Sequence, residues 1–346
     1  PRNVIVPSMG PGPKAGNHPH GPTSTSCCSA RFNGARPEGR ESRARRESVV
    51  TWLSENRTGL TGRSVQVQGE PMPFIEFLDS QERIGRAEMH GRTLVGLWSD
   101  FLEEEPYSPR VEVDAVGNGQ IWITQRYERM PYVFSLLFGE LLYQLRAALD
   151  SCIYGAAILE SGEDPPPDAG KLEFPLRDSA EAFEKAAWKI SPLNEERRRI
   201  VESFQIFNAS AVHEKEVWVL YYLHMLNELA RRDRHRRLRV VGSWASEAKP
   251  RLRLPDGVEI LRLQVHSNCF LREDTVVAEF ELGGWKPSMR IEANPDLAID
   301  IALDESAPGY EGPHPLGRTV PNLVRAVRTV RERLEASFHL ERRNPK

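Results

Sequence analysis

Two charged clusters close apolar helical runs in this chain: Leu145-Arg146-Ala147-Ala148-Leu149-Asp150 and Asp233-Arg234-His235-Arg236. Ionisable groups at the edge of a core need partners, and groups so placed either tie helices together or form a site. Arg146 and Asp150 have the i,i+4 spacing that pairs side chains on one helix flank. Asp233 falls on the apolar side of its own helix if that helix runs unbroken. An aspartate aimed at a core requires a cation or several donors, and Arg146 on a facing helix is the natural partner. The expectation is therefore an inter-helix polar network of Arg146, Asp150 and Asp233. His235 points to the opposite side and joins the cluster only if the helix ends near Asp233. Gly139 lies between Arg146 and Asp150 in angle and leaves room for a neighbouring helix to approach.

Other chemistries compete with this network. Arginines Arg231, Arg232, Arg234, Arg236, Arg237 and Arg239 crowd the end of the second run. They are candidates for phosphate contacts to nucleic acid, against the plainer role of complementing a helix C-terminus. Arg197-Arg198-Arg199 is a second basic run, tempered by Glu195 and Glu196 before it. The pair Arg231 and His235 resembles the Arg-x(4–6)-His motif of HEPN domains, which are small helical bundles. That resemblance implies metal-independent RNA cleavage. The imidazole would handle the 2′-hydroxyl proton while the guanidinium stabilised the phosphorane. Only three residues separate the pair here, and the motif's usual polar neighbour is absent, so a degenerate ribonuclease is the alternative expectation. No HExxH, Gly-rich phosphate loop or Gly-x-Ser-x-Gly elbow is present, and no metal or cofactor is expected. Cys27-Cys28 with His18 and His20 offers metal-ligand types, but no surrounding core fixes their geometry.

Four motifs in order carry a further resemblance. Gly139-Glu140…Leu145-Arg146-x-Ala148-Leu149-Asp150 resembles a Gly-Asp…Leu-Arg-Ser-Ala-Leu-Asp-His motif of a widespread family of uncharacterised bacterial proteins. Phe174-Pro175-Leu176 is similar to its Phe-Pro-Ile, and Gln205-Ile206-Phe207 to its Gln-Pro-Tyr. Asp233-Arg234-His235-Arg236 is similar to its Asp-Lys-His-Arg. The likeness spans about residues 80–240 and implies architecture rather than an activity. Ser151 stands where the family often has histidine, and Ala230-Arg231 replaces a common Asn-Asn. Any chemistry served by those polar groups is reduced here.

The elements that must position these residues follow from periodicity. Residues 1–71 are rich in proline, glycine, serine and arginine and are expected to be a disordered extension, with folding from about Met72. Asp79-x-x-Glu82 has the form of a capping box, and Ile84 to Leu102 recur at helical spacing. A hairpin is expected over 110–127. A second helix should run from Tyr132 to about Leu159, with shorter helices over 180–189 and 194–204 and a long one over 213–232. After Val241 the period changes to two, and strands are expected at 258–265, 275–282, 289–293 and 297–303. A last helix carries Val320, Leu323, Val327 and Leu334 on one face. The fold class expected is α+β: a helical bundle with an inserted β-hairpin, then a C-terminal antiparallel sheet and a terminal helix. The domains would be 72–243, holding the hairpin, and 244–346.

The net charge of −3 argues against a protein built wholly around nucleic acid, and no apolar run approaches the length of a membrane span. A cytoplasmic bacterial protein is expected. Its role would be non-catalytic binding of a protein partner or nucleic acid, with no membrane partner.

Overall fold

The structure is a computed structural model and describes residues 3–4, 73–127, 129–235, 240–266, 269–271, 274–294, 297–303 and 314–343. It is a mixed α and β fold. Its described helices are α1 (Leu78–Glu103), α2 (Tyr132–Ser161), α3 (Ala180–Ala186), α4 (Glu195–Ser203), α5 (Glu214–His235) and α6 (Leu316–Arg343). The described strands are β1 (Asn3–Val4), β2 (Tyr107–Val113), β3 (Asn118–Gln125), β4 (Val240–Ala248), β5 (Arg251–Arg253), β6 (Glu259–Val265), β7 (Cys269–Phe270), β8 (Asp274–Gly283), β9 (Glu292–Asn294), β10 (Leu297–Leu303) and β11 (His314–Pro315). Of the expected extension 1–71, Asn3–Val4 is described, as a two-residue strand antiparallel to β5. The remainder, with Cys27, Cys28, His18 and His20, lies outside the described residues.

The chain divides into two compact units, and neither is continuous in sequence. The described residues of one come from the segment ending at Arg57, from Ser99–Met130 and from Val241–Ala302. Those of the other come from Thr58–Trp98, Pro131–Val240 and Leu303–Lys346. Two domain expectations are corrected by this. The hairpin does not belong to the helical segment around it, because β3 pairs antiparallel with β8 in a four-stranded sheet of order β2-β3-β8-β6. Its inward residues Ile121 and Ile123 bury against Val277 and Phe280, a hydrophobic partner that lies far along the chain. The terminal helix does not belong with the C-terminal strands either. It falls in the helical unit, where its stripe of Leu323, Val327, Val330 and Leu334 is fully buried.

Within the sheet unit, Asp114 and Gly117 together set the turn of the hairpin. The Asp114 Oδ1 accepts the Val116 and Asn118 amides at 3.0 and 2.8 Å, and Gly117 takes φ +100°. Strands β10, β4 and β7 lie side by side in a second sheet, and β1, β5 and β9 in a third.

Within the helical unit, α2 is the central element. Phe134, Phe138, Leu141, Leu142, Leu145, Leu149 and Ile153 are all fully buried, each contributing about 1.5–3 kcal/mol on removal from water. The helix ends where Gly162 adopts φ +71° and donates its amide to the Ile158 carbonyl at 2.7 Å. Helix α2 packs on α5 and α6, and α6 on α4. Helix α1 opens differently from expectation. A 3-10 turn at Ile75–Phe77 leads into it, so Asp79 lies inside the helix and bonds Arg83 and Ser151 instead of capping it.

That 3-10 turn rests on a bare patch of α2. A Cβ on Gly155 would stand 2.2 Å from the Glu76 carbonyl oxygen and 2.8 Å from its carbon. Both are backbone atoms that cannot swing aside. Gly155→Ala should therefore lower stability by about 1–3 kcal/mol, although alanine is the better helix former by about 1 kcal/mol. Urea denaturation of the two proteins checks this; a stabilised variant would contradict it.

Candidate functional site

The polar residues singled out by the motifs fall into three separate places. The first is a closed lock. Arg146, projecting from α2, donates from Nη1 to Asp150 Oδ1 at 2.9 Å, and from Nη2 to Glu173 Oε1 at 3.0 Å and the Phe174 carbonyl at 2.6 Å. The Phe174 amide returns a bond to Asp150 Oδ1 at 2.9 Å, and Lys189 bonds Glu173 Oε2. Buried Gln205 extends the lock, accepting the Arg177 amide at 2.9 Å and donating to the Val201 carbonyl at 2.9 Å. Three of the four motifs thus serve one purpose. They hold the extended segment 172–177 against α2, where Phe174 and Leu176 are buried.

Electrostatics differ between the two carboxylates. Burial pushes the Asp150 carboxyl up, and the Arg146 charge and the Phe174 amide only partly oppose it. Burial also acts on Glu173, but the Lys189 bond and the Arg146 charge outweigh it and hold that carboxyl below its ordinary range. Each polar side chain of this network is paired with another member of it.

Asp233 is not part of this lock, which corrects the expected network. Arg146 is already filled by Asp150, Glu173 and a backbone carbonyl. Asp233 instead sits over Gly139, where a Cβ would meet its Oδ2 at 2.6 Å. Gly139 is the gap through which α5 approaches α2, and a side chain there would collide with the Asp233 carboxylate.

This second place is an open cleft of about 660 Å³ within the helical unit. Arg86 and His90 come from α1, one turn apart. Ser135, Leu136, Gly139, Glu140, Tyr143 and Gln144 come from α2, and Asp233 from α5. His90 Nδ1 lies 3.4 Å from Glu140 Oε2, with the histidine largely buried and the glutamate 59% exposed. Leu136 and Tyr143 are 57% and 64% exposed, large side chains facing water in a cleft otherwise lined mainly by polar residues. Gly139, Glu140 and Asp233 belong to the sequence motifs, and the other lining residues do not. Arg86 and His90 do have the i,i+4 spacing of a shared helix face, which was the available signal.

The third place is the end of α5. The helix runs unbroken through His235, so His235 does not turn toward the motif cluster. Arg231 is exposed, and it grips Glu228 on its own helix at 2.7 and 3.3 Å. That bond also holds the Glu228 carboxyl below its ordinary range. Arg234 donates to the Ala230 carbonyl at 3.3 Å, and His235 is exposed with no bonding partner among the described residues. Arg232 is half-buried. Arg236, Arg237 and Arg239 lie outside the described residues.

No group of three or more His, Cys, Asp or Glu side chains suited to a metal ion occurs among the described residues. The described cysteines are free thiols. Cys152 is fully buried beside the Ser80 hydroxyl at 2.9 Å, and burial pushes its thiol up to about 12, which makes it inert. No helix among the described residues is long and apolar enough to cross a membrane.

Comparison of the chain with protein-family models, curated proteins and solved structures returned no match.

Proposed function

We propose that this is a non-catalytic binding protein of the bacterial cytoplasm, and that its helical unit takes a peptide segment of a protein partner in the cleft between α1, α2 and α5. The observation that carries this reading is the exposure of Leu136 and Tyr143 in a cleft whose other lining residues are mainly polar. Apolar anchors ringed by polar groups are the ordinary anatomy of a recognition surface. The free thiols fit a reducing compartment. The arginine-rich end of α5 supports nucleic-acid binding less well, because Arg231 is already neutralised by Glu228.

Selection from a random-peptide library with free C-termini tests the reading. Peptides should enrich on the wild-type protein and not on a Leu136→Asp, Tyr143→Asp double variant. Both side chains are exposed, so the variant should melt within a few degrees of wild type. Equal recovery on the two proteins would sink the proposal. Cleavage of single-stranded RNA by the wild type, lost on His235→Ala, would overturn its non-catalytic part.

A further inference from the structure

Resting on the cleft as a peptide site, we infer that its occupant carries an aspartate or glutamate side chain that binds Arg86 at one end of the cleft. An apolar side chain of the same segment covers Leu136 at the other end. The register of the two helices points to this. Ser80 meets Cys152, His90 faces Glu140, Leu141 lies against Gly91 and Trp98 packs on Phe134, so α1 and α2 run antiparallel. Arg86, one turn before His90, is therefore level with Tyr143 and Gln144. These three line the cleft, and none of their side chains makes a hydrogen bond or ion pair among the described residues. A guanidinium fork, a phenol hydroxyl and a carboxamide thus share one end with their donors unused.

The carboxylates of the cleft lie further along α2 and already have neighbours. Glu140 has His90 at 3.4 Å, and Asp233, over Gly139, has a partner of its own. A ligand cation would compete with those groups, whereas a ligand anion meets a cation with no rival. Any segment that packs on Leu136 and Tyr143 also takes water from Arg86. A charge stripped of water without a partner is costly, so the segment must bring an anion with it. A carboxylate fits the guanidinium in two parallel charge-assisted bonds and matches its single charge. The Tyr143 hydroxyl and the Gln144 amide can donate to its remaining lone pairs. Leu136, 57% exposed and two turns from Tyr143, offers its apolar surface about 10 Å away. That span corresponds to about three residues of extended peptide or about seven of helix.

Fluorescence anisotropy on the full-length protein tests this with dye-labelled, end-blocked peptides of glycine and serine. Each carries one glutamate and one leucine, set three, four or seven positions apart. The best of them should bind saturably, and glutamine in place of its glutamate should weaken it by at least about tenfold. Arg86→Ala should erase that difference, and Arg86→Glu should reverse it, so that a lysine peptide is preferred. Tyr143→Phe, which keeps the ring and removes the hydroxyl, should weaken the glutamate peptide several-fold and leave the glutamine peptide unchanged. Arg86 is exposed and unpaired, so its variants should melt with the wild type. Equal affinity for the glutamate and glutamine peptides would overturn the inference. So would persistence of the preference in Arg86→Ala, or failure of the whole series to bind. Library enrichment of peptides without an acidic residue would overturn this inference alone and leave the peptide-binding site standing. Absence of any enrichment would remove both.

Discussion

Arg197→Ala should lower the free energy of unfolding by about 3–5 kcal/mol, the range for stripping one partner from a buried ion pair. Arg197 is 2% exposed and is the largest fully buried side chain described. It donates from Nη1 to Glu160 Oε1 at 2.6 Å, from Nη2 to Glu341 Oε2 at 2.5 Å and from Nε to the Ser337 hydroxyl at 3.2 Å. Its guanidinium carbon also lies 3.5 Å from the centre of the Phe338 ring. The residue therefore joins α4 to the end of α2 and to the last turns of α6. Removing it leaves Glu160, itself mostly buried, with only the Asn194 amide, and strips Phe338 of its cover. Arg197→Lys should recover only part of the loss, because an ammonium cannot make the three divergent bonds of the fork. Arg197→Met should do better than alanine, since it refills the volume, although Glu160 remains uncompensated. Urea midpoints with unchanged slopes give the comparison. A loss below about 1 kcal/mol for the alanine variant would mean that the network adds little to stability.

Arg146→Ala should cost about 2–4 kcal/mol, less than Arg197 because its partners Asp150 and Glu173 each retain 36% side-chain exposure and water can screen them. The loss should be local as well as global. Amide exchange at Phe174 should accelerate, since its acceptor Asp150 loses the cation that holds it in place. The cost should also depend on pH, with a definite sign. Burial already pushes Asp150 up in the native state, so without Arg146 it takes up a proton more readily and relieves the unpaired charge. Glu173 sits low in the native state, so its contribution is present above the ordinary carboxylate range and fades as pH falls through its depressed value. Both effects narrow the gap between wild type and variant as pH drops from 7 toward about 4. Chemical denaturation at the two pH values measures it. A gap that widened toward acid would contradict the assignment of Arg146 as the cation these carboxylates require.

The two arginines also mark how far the chain could be read before folding. Arg146 and Asp150 were legible because both lie on one helix, where geometry over four residues is local. Arg197 was not. In sequence it stands first in Arg197-Arg198-Arg199 and reads as one of three solvated charges. Only burial singles it out, and its partner Ser337 is 140 residues away. Arg198 and Arg199 are exposed, as such runs usually are.

Gly139 and Asp233 show the intermediate case. Their angles foretold a close helix approach, which is present, and an aspartate aimed at the core, which instead stands half-buried on the wall of the cleft. The partner was misassigned because helix periodicity gives direction around an axis but not height along a neighbouring helix. Asp233 meets α2 at Gly139, about two turns from Arg146, and that offset opens the cleft. Period determined the mixed α and β class, the long helices and the strands at 259–265, 274–283 and 297–303, because each depends on neighbours within a few residues. Long-range packing decided that the hairpin pairs with β8, that the last helix joins the helical unit, and which charges are buried and which line an open cleft. Those outcomes rest on contacts between distant segments, where apolar burial and ion pairing select partners that no local pattern specifies.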